Sequence, residues 1–546
     1  MKKILILITT ALAFSSCNDL LDEMPDKRIQ DISTPEEIKA VLTDAYPKTT
    51  ATYITELASD NIADNGDIIP YVPFFASEAA YWKPIKEYWD YDGLHYFWEY
   101  HYDAISSANR ALKAIEEKLG NATSLNPAKG EALMIRAYAH FCLANVFCKA
   151  YNPATSSTDL GLPYMTQIEH KLIVKYSRGN VADFYKKIAE DIEAGLPLID
   201  DTYYQMPKYH FNKKAAYAFA ARFFLYYQQW DKAIKYANVV LSGNENDSTT
   251  ANNLRNWSDF NDASKTGSVR RNNYALYYTK ESIEANLMLQ PTYTEISEAS
   301  YFNENNPARY IHNFFVSENE TLGTRNPWDS LGLNATNGYA RYWFLPFTNN
   351  TGGREYDIVL MGKFPRFTRG TDVYGTIIVP FTTDEILLVR AEAKILKGEL
   401  ESAMKDLNLW TKNYIRVSTI NGTTNRNDGF TVDNIKAFYA DSNMAYSQST
   451  VDGATQKKRL TPSLSITLSD DQTAMLHYVL QCRRILTLGE GLRWQDIRRY
   501  NIEVPRYQKY GNGSYQVSDI LTSGDKRNTF QLPDEVLGAG MEPNPR

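Results

Sequence analysis

Seven histidines, four cysteines and sixty-five acidic side chains are the groups in this 546-residue chain that could do chemistry. Their spacing argues against most of it. The histidines (His95, His101, His140, His170, His210, His312 and His477) never form His-Glu-x-x-His, and no Cys-x-x-Cys occurs, so no zinc site is spelled out. There is no Gly-x-Ser-x-Gly elbow and no Walker loop. Gly489-Glu490-Gly491 begins like a dinucleotide fingerprint but lacks the third glycine. Asp60, Asp64 and Asp67 miss the EF-hand spacing and read as solvated loop acids rather than calcium ligands. A glycosidase's carboxylate pair needs no proximity in sequence, so spacing is silent on it. Spacing therefore assigns no catalytic residue, no metal site and no cofactor site.

Cys17 carries a different chemistry. Met1-Lys2-Lys3 is a positive start, Ile4 to Phe14 is uncharged, and Ser15-Ser16 are the small residues a signal peptidase needs. Roughly 20 apolar residues span a bilayer, so this run is too short to be a stable transmembrane helix. The cysteine at the cleavage point resembles the lipobox of bacterial lipoproteins, with Phe14 where Leu is usual. Residues 1–16 are then a signal peptide. Cys17 becomes the first residue and carries acyl chains, palmitate among them, on its sulfur and amine. Residues 17–31 follow as a polar, acidic tether. Cys142, Cys148 and Cys482 are an odd number in an export context, so no disulfide framework is legible and buried thiols are expected.

The remaining chain is globular in composition, 43% hydrophobic and 23% charged, and its length alone would allow roughly three or four domains. Loss of Lys2 and Lys3 takes the net charge from -7 to -9. That acidity, with no basic run, argues against nucleic acid as a partner. Tyrosine is in excess, 39 against 23 Phe, and a ring with a polar edge suits groove rims and ligand surfaces as well as helix packing.

Heptad-like spacing predicts helices at 35–47, 94–119, 126–149, 180–198, 212–226 and 228–242. In the last two, Ala218, Ala221 and Leu225 face Ala233, Ile234 and Ala237 across a short break. The pattern returns at 383–408, where Gly398 suits a helix C-cap. These helix pairs resemble tetratricopeptide units without a strict 34-residue period. The fold class expected is mostly α: tetratricopeptide-like pairs as scaffold, with a loop-rich insertion. An N-terminal helical region at 32–242 precedes a loop-rich region at 243–380, and a C-terminal helical region occupies 381–546. In the loop-rich part, Tyr274-Ala-Leu-Tyr-Tyr and Ile377-Ile-Val-Pro read as short strands or loops. A second loop-rich stretch at 58–93 is dense in aromatics.

Several segments together resemble the SusD/RagB family of surface glycan-binding lipoproteins over nearly the whole chain. They are Cys17-Asn-Asp-Leu-Leu-Asp, Phe97-Trp-Glu-Tyr-His-Tyr-Asp-Ala-Ile-Ser-Ser-Ala-Asn-Arg-Ala-Leu, Glu131-Ala-Leu-Met-Ile-Arg-Ala-Tyr-Ala-His-Phe, and Tyr176-Ser-Arg-Gly-Asn-Val-Ala-Asp-Phe-Tyr. The series closes with Cys482-Arg-Arg-Ile-Leu-Thr-Leu-Gly-Glu-Gly-Leu-Arg-Trp-Gln-Asp-Ile-Arg-Arg-Tyr. Cys482 stands where a Glu is usual, which puts a family ion pair in doubt.

The resemblance implies a lipid-anchored protein at the outer-membrane surface. Such a protein captures oligosaccharide or polysaccharide and delivers it to a SusC-like TonB-dependent transporter. It further implies a ligand surface on the loops of 58–93 and 243–380. Trp82, Trp89, Tyr301, Trp328 and Tyr342 are the candidate platform, with packing inside their own loops as the alternative. Trp98, Arg493 and Trp494 are expected to be packing residues. A peptide-binding member of the family and a surface glycosidase remain alternative readings.

Overall fold

The computed structural model describes residues 32–67, 75–86, 90–169, 174–242, 248–261, 270–294, 296, 308–329, 339–349, 358–369, 373–420, 422–447 and 449–546. The fold is mostly α. The first helix, α1 (Pro35–Thr43), starts where the sequence signals it. Thr34 accepts from the Glu37 N–H and Glu37 reaches back, so two end donors are satisfied reciprocally.

The long helices follow the apolar spacing closely: α2 (Leu94–Glu117), α3 (Asn126–Phe147), α4 (Val181–Gly195), α5 (Lys213–Tyr226) and α6 (Trp230–Leu241). The C-terminal region holds α7 (Thr383–Leu396), α8 (Leu400–Tyr414), α9 (Asp470–Leu486) and α10 (Arg493–Tyr500). Helices α2 and α3, α5 and α6, and α7 and α8 pack as consecutive pairs, and α6 also packs on α7. Small residues make this possible. Ala218, Ala221, Ala233, Ala237, Ala391 and Ala393 are fully buried. Where α3 meets α4, a Cβ on Gly130 would sit 2.9 Å from the Gly195 carbonyl, so only glycine permits that approach. Gly398, at φ 82°, ends α7 as its spacing predicts.

The central region contains more helix than expected. Tyr274-Ala-Leu-Tyr-Tyr lies in a helix, Arg270–Tyr278, and not in a strand. Tyr274, Ala275 and Tyr278 return to one buried face. Their aromatic edges find partners there, Tyr274 donating to the Phe260 carbonyl at 2.8 Å and Tyr278 to Glu490 at 2.6 Å. A short apolar run bears no period long enough to separate helix from strand. The second run does form a strand. Besides the short β1 (Ala63–Asp64), which belongs to another sheet, β2 (Asn286–Tyr293), β3 (Phe367–Arg369) and β4 (Val373–Thr382) make an antiparallel sheet in the order β2-β4-β3, with Pro291 opposite Ile377.

One buried cluster runs from Ile32 to Val536 and joins the N-terminal, central and C-terminal stretches. Charged groups are buried within it in pairs. Arg483 of α9 lies 3.2 Å from Glu385 and from Asp496, and Arg484 lies 2.9 Å from Glu320. Both arginines therefore keep carboxylate partners although Cys482 replaces the usual glutamate. The Gly489-Glu490-Gly491 turn also finds its reason here. Its two glycine N–H groups donate to the buried Glu56 carboxylate at 3.0 and 3.1 Å. A Cβ on Gly491 would meet the Thr55 hydroxyl at 2.3 Å.

Candidate binding groove

Of Asp60, Asp64 and Asp67, expected as solvated loop acids, two are buried. Asp60 is buried and paired in two-pronged fashion with Arg493, both contacts at 2.8 Å. Asp64 is buried, and Arg309 reaches its two oxygens at 2.6 and 2.9 Å. Only Asp67 is exposed. Arginines supplied from more than 240 residues away convert these loop acids into core ties. Among the described residues no cluster of three or more His, Cys, Asp or Glu is arranged to hold a metal.

Three of the candidate platform residues lie inside the protein. Trp82 is 1% exposed. Its indole N–H donates to the Ala58 carbonyl at 2.8 Å, and the Arg506 guanidinium sits 5.0 Å from its ring. Trp328 is fully buried, with its ring against Trp410, Tyr342 and Tyr478. Tyr342 is also fully buried and packs on Tyr414. None of these rings presents a face to solvent here. Cys17, Trp89 and Tyr301 lie outside the described residues. Trp494 is buried against Phe530, and Trp98 is half-buried beside Tyr102 and Phe147.

The open aromatic surface is elsewhere. A cavity of about 880 Å³ lies between α1, the segment 203–210 and the strands β2 and β4. Tyr46, Tyr203, Tyr204, Tyr209 and Tyr293 line it, and Met206 and Phe367 stand exposed on its rim. Its floor is ordered by one buried acid, Glu131 of α3. Glu131 accepts from the Tyr46 hydroxyl and from Nδ1 of His210, each at 2.7 Å. The Tyr46 oxygen in turn accepts from the Phe211 N–H at 2.7 Å. Burial first, and the adjacent Glu131 second, push the Tyr46 hydroxyl well above its ordinary pKa, so it stays a neutral donor. Tyr204 stacks on the His210 ring with centroids 4.5 Å apart and planes 15° apart. A single carboxylate thus sets the positions of several wall rings.

Tyr293 carries the aromatic surface beyond the cavity. Its ring lies 5.1 Å from Tyr91, which stacks on Tyr96 at 5.1 Å, and Tyr96 stacks on Tyr100 at 5.8 Å. All four rings are partly exposed. Thr294 donates to Asp92 at 2.6 Å and so ties the loop bearing Tyr91 to the strand bearing Tyr293. Sequence reasoning missed these residues. The one available signal was the excess of tyrosine, which does not say which rings converge. Chemically, the groove offers ring faces for C–H stacking, hydroxyl edges and an apolar rim. Both of its carboxylates are engaged, Asp44 with Lys48 at 3.0 Å and Glu131 as above.

Comparison with known proteins then places the chain. Residues 19–225 match the SusD-like family described as "Starch-binding associating with outer membrane". Over that N-terminal stretch, less than half of its length, the chain resembles the SusD-like family. Solved structures share the fold along nearly the whole chain. A SusD superfamily protein from Bacteroides thetaiotaomicron VPI-5482 superposes with a TM-score of 0.60 at 18% identity, covering 94% of this chain and 99% of the other. A SusD superfamily protein from Bacteroides fragilis gives 0.59 at 15% identity, with 93% and 99% covered. A putative sugar binding protein from Bacteroides vulgatus ATCC 8482 gives 0.55 at 16% identity, with 94% and 99% covered. No curated protein matches this chain. Among the described residues, no helix is long and apolar enough to cross a membrane.

Proposed function

We propose that this protein binds oligosaccharide or polysaccharide in the tyrosine-lined groove and hands it to a SusC-like TonB-dependent transporter. In this reading acyl chains on Cys17 hold it at the outer-membrane surface, and it performs no catalysis. The observation that carries the proposal is the groove itself, with five tyrosines around a cavity of about 880 Å³ and three more partly exposed rings continuing from Tyr293. Pyranose rings expose C–H faces that stack on aromatic rings, and their hydroxyls pair with hydroxyl edges. The match of residues 19–225 to the SusD-like family supports the glycan and transporter parts of the reading, and the Cys17 signal supports the anchor.

Peptide capture by strand addition is less well served. β2 is the sheet edge beside the cavity, but Pro291 has no N–H and the Tyr293 N–H already donates to the Lys48 carbonyl at 2.7 Å.

A glycan array and affinity gels with soluble protein lacking residues 1–17 test the proposal, with Tyr204→Ala and Tyr293→Ala alongside. Binding of at least one polysaccharide, weakened roughly thirtyfold in one of the two variants (about 2 kcal/mol), is the expected result. Binding that both variants retain in full would move the site off this groove. No glycan binding, together with binding of unstructured peptides, would favour the peptide reading.

A further inference from the structure

A second hollow, of about 610 Å³, adjoins the tyrosine cavity. Lys39 and Tyr203 belong to the walls of both, with the Lys39 amine 4.1 Å above the centre of the Tyr203 ring. This pair is a low divider between two chambers of different chemistry. On the far side the lining changes from aromatic rings to Thr123, Ser124 and Asn126 at the start of α3 and to Asp200 and Thr202 beyond α4. These hydroxyl, amide and carboxylate groups are exposed or half-exposed.

Sites for a single small molecule occupy roughly 300–1,000 Å³. The tyrosine cavity alone lies near the top of that range, and the two chambers together exceed it. A compact ligand would leave one chamber empty. A linear chain laid over the Lys39–Tyr203 divider fills both, stacking where rings are present and hydrogen bonding where hydroxyls and amides replace them. Resting on the glycan reading above, we infer that the ligand is a linear polysaccharide chain. One segment stacks in the tyrosine cavity and the continuing residues cross into the polar hollow, so that affinity depends on chain length.

Linear ladders of α-1,4-glucan, β-1,4-xylan and β-1,4-mannan, from disaccharide to decasaccharide, test this by calorimetry on the soluble protein. Ser124→Trp fills the polar hollow from an exposed position, and Thr202→Trp does so from its other wall. Thermal melts establish that each variant is folded. For a ladder that binds, the expected result is an affinity that climbs at least tenfold with length, with the climb abolished in the folded variants. The affinity of the shortest bound member, set by the tyrosine cavity, stays within twofold. A bound ladder with no length dependence, or a climb that both fillings leave intact, overturns the inference while the glycan reading stands. Failure of every ladder and of every polysaccharide on the glycan array to bind overturns both.

Discussion

Glu131 and Tyr46, 85 positions apart in sequence, meet at 2.7 Å beneath the tyrosine cavity, and His210 approaches the same carboxylate oxygen at the same distance. The second helix of the first scaffold pair, α3, thereby positions rings contributed by two separate loops. Removing the carboxylate leaves two buried or half-buried donors without their acceptor, which costs roughly 1–3 kcal/mol per group. Glu131→Ala should therefore lower the melting temperature and weaken glycan binding together. Glu131→Gln keeps an acceptor for Tyr46 and should recover most of the stability. Equal melting temperatures for wild type and Glu131→Ala would show that the carboxylate orders nothing.

Asp60 provides the pH prediction. Burial alone would raise its pKa, but Arg484 and Arg493 outweigh that and hold it far below the usual carboxylate range. A lowered folded-state pKa means the ionised form contributes stability above the unfolded value of about 3.9. That contribution is lost as pH falls from there towards the folded value. Melting temperature should decline on acidification below about pH 4–5, and Asp60→Asn should show a shallower decline. At neutral pH, breaking this buried pair is expected to cost about 3–5 kcal/mol. Parallel pH profiles for the two proteins would rule Asp60 out as a titrating tie.

Trp82 should behave as a core residue. Its buried indole, bonded to Ala58 and overlaid by Arg506, makes Trp82→Ala destabilising by about 3–5 kcal/mol. Chemical denaturation measures this directly. A variant with unchanged stability and lost glycan binding would return Trp82 to the ligand surface.

The three internal thiols should be inert in the native state. Burial pushes Cys142 up to about 12 and Cys148 up to about 11, and it pushes Cys482 well above its ordinary value. The thiolate is the reactive form, so little of it exists at pH 8. Soluble protein lacking residues 1–17 should react with less than one equivalent of a thiol reagent when folded and with all three thiols when unfolded. Rapid labelling of the folded protein would contradict the burial of Cys148 and Cys482 and the raised pKa of the half-buried Cys142.

Cys17→Ala should abolish lipidation and release the protein from the membrane fraction while leaving its melting temperature unchanged, because the sequence after Cys17 reads as a polar, acidic tether. Lipid labelling that persists in this variant would remove the basis for the anchor.

Much of the scaffold was legible without coordinates. Helices α2 to α7 fall within a few residues of their apolar periodicity, α8 runs on to Tyr414, past the expected 408, and α1 starts at the expected residue 35 but ends at Thr43, short of 47. Helix formation depends on contacts three and four residues apart, which a sequence displays directly. Tyr274 to Tyr278 were misread because five residues are too few to separate the helical period from the extended one. The candidate surface was far less legible. Trp82, Trp328 and Tyr342 have the right side chains in loop-rich segments, yet distant arginines and rings enclose them.

The sequence by itself determined most of the helical scaffold, the small residues at its crossings and the absence of catalytic spacing. All of these depend on neighbours a few positions apart. Only the tertiary structure decided that Asp60 and Asp64 are buried ties and that Tyr46, Tyr204, His210 and Tyr293 share one groove over Glu131. Those facts depend on which residues, up to several hundred positions apart, fall within hydrogen-bond distance. Burial and pairing at that range are set by the packing of the whole core, which no local pattern encodes.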